Sequence, residues 1–208
     1  MRLLLLVTAL AASPAFQSVA ALADPVATEA ARAVVCFHGG TGFVANDGGL
    51  VVTAGHVAQM VGPEPWVYLG WTDGPPEPVQ LTLVATDTHD DLALYRLPPG
   101  RYSALTLRSA TPAAAGEAVL LLGHRPGRAM LASRGLVREP PARWQGQPIL
   151  EYTAPAYDGY SGAPVLDAQG RVLGVHRGWD FRKLGHGELV AVPAAAVLEA
   201  FTTLQPEP

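Results

Sequence analysis

Three short segments of this 208-residue chain carry side chains that could do chemistry together. Gly159-Tyr160-Ser161-Gly162-Ala163-Pro164 sets a serine between glycines and closes with a proline, where a backbone turns sharply and can aim its N–H groups outward. Val51-Val52-Thr53-Ala54-Gly55-His56 is an apolar strand that runs into a small-residue turn and a histidine. Asp90-Asp91-Leu92-Ala93-Leu94 places aspartates at the mouth of another apolar strand. A serine hydroxyl attacks a carbonyl carbon only when a base takes its proton. His56 can be that base, because an imidazole titrates near neutral pH and can return the proton to a leaving group. A carboxylate on the far ring nitrogen would fix the tautomer and stabilise the charged ring, a role open to Asp91 and, in competition, to Asp90. Taken singly, each has an ordinary structural reading: a strand-end histidine, a turn-capping aspartate, a turn serine. The order His, Asp, Ser, the spacings of 35 and 70 residues and the glycine context together favour the catalytic one.

Such a constellation needs rigid strands to hold it. The chain from residue 24 on reads as short apolar or β-branched runs broken by Gly, Pro, Asn and Asp: Trp66–Trp71, Val79–Thr86, Leu92–Leu97, Ala118–Leu122, Met130–Val137, Ile149–Thr153, Ala163–Leu166 and Val172–His176. Many short strands with frequent turn signals predict a barrel or sandwich. Ala194–Leu204 reads as a helix, with Val197, Leu198, Phe201 and Leu204 on one face, and a short helix is expected at Val57–Val61. Pro98–Gly116 is rich in Pro, Ala, Ser and Thr and reads as the seam between two β-rich halves.

The N-terminus reads as a secretory signal. Arg2 supplies the positive charge, Leu3 to Ala12 is an apolar run too short to span a bilayer, and Ala21-Leu22-Ala23 is a small-x-small cleavage site. The mature domain would be 24–208. Net charge is −4, with no basic stripe, which argues against nucleic acid as a partner. Cys36, the single cysteine, lies in the apolar run Ala33–Phe37 and cannot form an internal disulfide, so the core must hold the fold. Its setting predicts a buried, inert thiol. Cys36 and His38 have no second pair at zinc-like spacing, so no metal and no cofactor is expected. His38, His89, His124 and His186 read as loop or surface residues.

The three segments resemble the blocks of trypsin-like serine peptidases, in the style of the bacterial Deg/HtrA-like and glutamyl-endopeptidase-like enzymes. Thr53-Ala54-Gly55-His56 is similar to the family's T-A-x-H, Asp91-Leu92-Ala93-Leu94 to its D-[IL]-A-[LV], and Gly159 through Pro164 to its G-[DN]-S-G-x-P. Weaker likenesses run along the rest of the mature chain, at Gly40–Val44, Gly116–Gly123, Ser133–Val137 and Ala191–Pro193. The resemblance implies an all-β fold of two antiparallel six-stranded barrels with a short C-terminal helix. The first barrel (24–108) would carry His56 and Asp91, and the second (109–208) Ser161. It selects Asp91 over Asp90 by register and assigns the oxyanion hole to the backbone N–H groups of Gly159 and Ser161. The sequence departs from the pattern at Tyr160, where the family usually has Asp or Asn. Tyr160 cannot bind a new N-terminus by charge, so no zymogen switch of that kind is expected. No PDZ-like sequence follows the last helix.

By the same resemblance, Pro155 would line the floor of the specificity pocket, so an acidic floor selecting Lys or Arg is not supported. Gly174-Val175-His176-Arg177-Gly178 is similar to the G-I-H-x-G of glutamyl endopeptidases. His176, with Arg177, would then favour Glu or Asp before the scissile bond, with Gly178 beside them in the pocket and Asp158 opposing; the alternative is that His176 is a buried strand histidine bonded to backbone. The implied function is a secreted or periplasmic endopeptidase acting on peptides or proteins through an acyl-enzyme. Two other functions stay open from sequence: a catalytically silent trypsin-fold binder of peptides or a partner, and an esterase.

If the leader is read correctly, the exported protein starts at or near Asp24. N-terminal sequencing of the natively exported form checks this, and a retained Met1 overturns it.

Overall fold

The structure, a computed structural model, describes residues 17–19, 23–73, 75–108, 110–138, 142–144, 146–179 and 188–204. Strand β1 (Gln17–Ser18) joins the sheet of the second half, and the strands of the first are β2 (Val34–Phe37), β3 (Gly40–Val44), β4 (Leu50–Ala54), β5 (Trp66–Leu69), β6 (Val79–Gln80), β7 (Thr82–Asp87) and β8 (Leu92–Arg96). Those of the second are β9 (Ala118–His124), β10 (Met130–Val137), β11 (Ala142–Trp144), β12 (Gln147–Thr153), β13 (Pro164–Leu166), β14 (Val172–Trp179) and β15 (Glu188–Pro193). Three helices are described: α1 (Pro25–Ala31), α2 (Gly55–Val61) and α3 (Ala194–Leu204).

The expected runs all appear as strands, with ends shifted by up to three residues. The helix after His56 starts two residues earlier than expected, so that it contains the histidine. Helix α1 was not anticipated. Its signal is nonetheless local: Asp24 accepts from the Val26 and Ala27 N–H groups at 2.8 and 3.3 Å, and Pro25 occupies the first helical turn. The leader expectation falls largely outside the described residues. Of 1–23, Gln17 and Ser18 pair with Ala132 and Leu131 at the fringe of the second half.

The fold class is as expected, mostly β in two bodies. The second body is a closed six-stranded antiparallel barrel, running β9-β13-β14-β15-β12-β10 and sealed by β10 pairing with β12. The first is a seven-stranded antiparallel sheet, β6-β5-β2-β3-β4-β8-β7, curled into a half-barrel. Its two edge strands are consecutive in the chain, parted only by buried Leu81, whose N–H donates to Pro65 O at 3.0 Å. Counted as one kinked strand, 79–87 makes six.

Strand β9 shows how one sequence serves both bodies. Val119 and Leu121 point into the barrel, whereas Leu120 and Leu122 join the larger cluster formed with the first half. With a period of two and both faces buried, the run is continuously apolar rather than alternating. The second body therefore presents an apolar outer wall, and the first half packs on it. The 98–116 stretch straps this junction: Leu105 N–H donates to Val44 O in one body, Arg108 N–H to Val172 O in the other, both at 2.9 Å.

Barrel closure depends on Gly135. On β10 the pairing passes from β9 to β12 at this point, with Gly135 opposite Val119 and Leu136 opposite both Ala118 and Thr153. A Cβ on Gly135 would fall 1.2 Å from Thr153 O, so the strands could not approach. Gly135→Ala should destabilise the protein by about 3 kcal/mol or more. Denaturant unfolding reads the change, and a shift within error of zero would show that the corner is made otherwise.

Candidate active site

His56 stands in the first turn of α2, directly beyond the end of β4. The helix starts without a side-chain cap of its own, since Ala54 occupies the cap position. Asp91 supplies the missing acceptors from the adjacent turn. Its carbonyl accepts from Gly55 N–H at 2.7 Å, and its Oδ1 accepts from His56 N–H at 2.8 Å. Its other oxygen, Oδ2, lies 2.9 Å from His56 Nδ1. Asp91 therefore holds both the backbone and the ring of His56. To do so it adopts φ +55°, a left-handed conformation that aspartate tolerates better than most residues. Gly55 leaves room beside it, since a Cβ there would meet Asp91 Oδ1 at 3.0 Å and its carbonyl carbon at 3.1 Å, closer than ordinary contact. Asp90, the competing carboxylate, turns away and lies 3.3 Å from His89 Nδ1.

The loop carrying Ser161 arrives from the second body. Thr41 on β3, fully buried, receives it: Thr41 N–H donates to Ser161 O at 2.8 Å, and its hydroxyl donates to Gly159 O at 2.7 Å. The same hydroxyl accepts from His124 N–H at 3.0 Å. Gly162, at φ +85°, sits so close to the first body that a Cβ would lie 2.2 Å from Thr53 Oγ1 and 2.9 Å from Ala54 N. Ser161 is thus delivered to the end of β4, where His56 begins the helix. Ser161 is partly exposed, and its hydroxyl makes no hydrogen bond to His56 among the described residues.

Within the loop, Tyr160 N–H donates to Tyr157 O, Gly162 N–H to His176 O and Ala163 N–H to Tyr160 O. The Gly159 and Ser161 N–H groups donate to no protein acceptor among the described residues. These are the two donors expected to form an oxyanion hole. Gly159 has φ +96°, and a Cβ on it would lie 2.5 Å from His124 O.

Tyr160, the departure from the family pattern, is fully buried. Its ring lies on Gly123, where a Cβ would meet ring carbons at 2.6 Å, and it makes an edge contact with Tyr157 at 6.2 Å. Tyr157 in turn carries Arg125 over its ring at 4.3 Å. An apolar socket holds the loop from below, in place of a charged residue.

The residues expected in the specificity pocket differ in their settings. Pro155 is half-buried, with its carbonyl accepting from Ser133 Oγ at 2.6 Å. Gly178 has φ +149° and open space around it. His176 is buried, and its Nδ1 is 2.6 Å from the Tyr152 hydroxyl. Burial, with a smaller contribution from the charge on His56, pushes His176 down to about 3, so the ring is neutral at physiological pH. The argument for an acidic preference from a positively charged imidazole therefore loses its cation. Arg177 turns to the Asp91 carboxylate, with Nε 3.2 Å from Oδ2.

His124 differs from expectation. It is buried rather than on the surface, against Trp71 with ring centroids 6.0 Å apart, and burial pushes it down to about 4. Its place at the end of an apolar strand was the overlooked signal. His38 and His89 are exposed, and His186 lies outside the described residues. Cys36 is buried, and burial pushes its thiol up to about 12, as befits an inert side chain. Among the described residues no group of three or more His, Cys, Asp or Glu could hold a metal ion, and no helix is long and apolar enough to cross a membrane.

Residues 40–175 match the sequence model of the trypsin-like peptidase domain. The chain belongs to this family. It is a serine endopeptidase by that membership, and solved structures of proteases share its fold. The Rv3671c protease of M. tuberculosis in its active form is 25% identical at a TM-score of 0.74, over 89% of this chain and 87% of that one. An inactive form of the same protein, a Ser343Ala mutant, is 25% identical at 0.73, over 89% and 94%. The serine endoprotease of Yersinia pestis is 21% identical at 0.73, over 86% and 65%, a likeness of fold alone. No curated protein matches the chain.

The two buried histidines flanking the Ser161 loop make the fold sensitive to acid. Both are neutral when folded and protonate freely once unfolded, near pH 6.5. The unfolded state therefore binds more protons below that pH, and stability falls as pH drops from about 6.5 towards 4. Asp24, Glu117 and Asp167, all lowered, add their own loss only below about 4. Denaturation midpoints at pH 7.5 and 5 should differ, the lower pH being the less stable. Equal midpoints would mean that the histidines are not held neutral.

Proposed function

We propose that the protein hydrolyses peptide bonds through an acyl-enzyme on Ser161, with His56 as general base and Asp91 as its orienter. The observation that carries this reading is the Asp91 carboxylate, which grips the His56 backbone and ring at once. Nδ1 then carries the proton towards Asp91, leaving Nε2 free to accept the proton of Ser161 as its oxygen attacks the scissile carbonyl. The oxyanion that forms is met by the Gly159 and Ser161 N–H groups, which have no protein acceptor to give up among the described residues. The imidazolium returns its proton to the leaving amine, the C–N bond breaks, and the acyl group stays on Ser161. Water enters, gives a proton to His56 and releases the second product as the serine regains its hydrogen.

The protein acts outside the cytoplasm, in the periplasm or as a secreted enzyme. The support is the charged, apolar and small-residue succession from Arg2 to Ala23. Substrates are peptides or proteins, with Pro155, His176 and Gly178 near the residue before the scissile bond. The neutral His176 offers at most a hydrogen bond to it.

A fluorophosphonate probe should label the mature wild type, with the label on Ser161. Ser161→Ala and His56→Ala should each lower kcat roughly 10⁴-fold or more, with the double variant little worse, because the pair acts as a unit. Wild-type cleavage by Ser161→Ala would sink the mechanism, and a wild type that neither cleaves nor labels would favour a silent binder.

A further inference from the structure

Arg177 is the extra residue of a β-bulge. Strand β14 pairs with β15 through His176 opposite Ala191, slips, and resumes with Gly178 opposite Val190. A bulge turns the side chain it carries away from the regular alternation. Here it leaves His176 buried in the second body and sends Arg177 across the junction to the first, where Nε reaches Asp91 Oδ2 at 3.2 Å. The guanidinium is mostly shielded, at 27% side-chain exposure, and Asp91 is at 15%.

We propose that Arg177 is a positioning residue that fixes the Asp91 carboxylate, and through it the His56 ring; the proposal rests on the catalytic reading of these residues. Asp91 Oδ1 is occupied by His56 N–H, but that bond alone leaves the carboxylate free to swing about its last torsion, which is soft. Oδ2 faces two partners, His56 Nδ1 at 2.9 Å and the Arg177 guanidinium, whose Nε forms an ion pair with it at 3.2 Å. The guanidinium comes from the body that carries Ser161. It ties the His–Asp pair of one body to the strand of the other, next to the residue whose carbonyl accepts from Gly162 N–H. The other titratable groups nearby do not replace it: Asp90 faces His89, and His176 is neutral. An arginine suits the task because its charge persists at every working pH and its planar fork matches a carboxylate.

The alternative is that Arg177 recognises an acidic substrate side chain, and one experiment separates the two. Arg177→Ala and Arg177→Gln are compared with wild type on two peptides differing only in Glu or Ala before the scissile bond. As a positioning residue, Arg177→Ala lowers kcat roughly ten- to a hundredfold on both peptides, while KM changes less than about twofold. Arg177→Gln, which keeps an N–H donor without the charge, recovers part of the loss. The far-downfield proton signal of His56 Nδ1–H moves or broadens in Arg177→Ala. A loss confined to KM for the glutamyl peptide overturns the proposal in favour of a pocket role. A lower Tm with kcat unchanged overturns it in favour of a merely structural one. Should wild type fail to label at Ser161, the catalytic reading falls separately. The proton signal still decides whether Arg177 holds the pair, since an unaltered signal in Arg177→Ala excludes it.

Discussion

Thr41 commits its N–H and its hydroxyl to the junction of the two bodies. Its N–H and hydroxyl hold the Ser161 and Gly159 carbonyls, its hydroxyl oxygen takes His124 N–H, and its own carbonyl accepts from Thr53 Oγ1 at 2.7 Å. None of these groups can turn to water, because Thr41 and Thr53 are fully buried and His124 nearly so. A buried donor or acceptor left unmade costs about 1–3 kcal/mol, so a loop conformation that breaks two or three of these bonds is strongly disfavoured. The constraint runs in both directions. The loop that presents Ser161 cannot settle without the first body, and the strand that leads to His56 is braced by the second.

The glycines of the site make that approach possible. Gly162 lets the loop come within contact of Thr53 and Ala54, Gly159 clears His124 O, and Gly123 makes the flat bed for Tyr160. The last pair explains how a tyrosine can stand where relatives of this fold usually have Asp or Asn. A large aromatic side chain buried against a residue with no Cβ stabilises one loop position by packing and by the area removed from water. The Tyr157 ring and the Arg125 guanidinium stack outward from it. A packed anchor needs no new N-terminus to supply a charge, which fits a chain without an Ile-Val-Gly-Gly activation segment.

How much of this was legible in the sequence follows from the range of each interaction. The strands and the last helix were readable because apolar runs, turn residues and a 3.6-residue period are local signals. The glycine-flanked Ser161 loop was readable for the same reason. His56 and Asp91 could be chosen only by their order, spacing and likeness to a family, since neither carries a local mark of its partner. Their bond spans 35 positions. The role of Thr41 was hidden altogether, its bond to Gly159 O spanning 118 positions. Arg177 was misdirected for a related reason. A single-residue slip in pairing decides which face a side chain takes, and no sequence pattern in His176-Arg177-Gly178 marks the slip.

The same slip gives the site its connectedness. In a regular strand His176 and Arg177 would face opposite sides, and the stretch after Arg177 would keep that alternation. With the bulge, His176 enters the second body to meet Tyr152 while its backbone holds the Ser161 loop on both sides, accepting from Gly162 N–H and donating to Ala163 O at 2.8 Å each. Arg177, the next residue, reaches Asp91. Two adjacent residues of β14 therefore touch both ends of the proposed catalytic constellation, the Ser161 loop and the Asp91 carboxylate. Any shift of β14 against the first body would strain both together. The geometry of the three residues is thus set less by any bond among them than by the strand and the threonine that bind their supports.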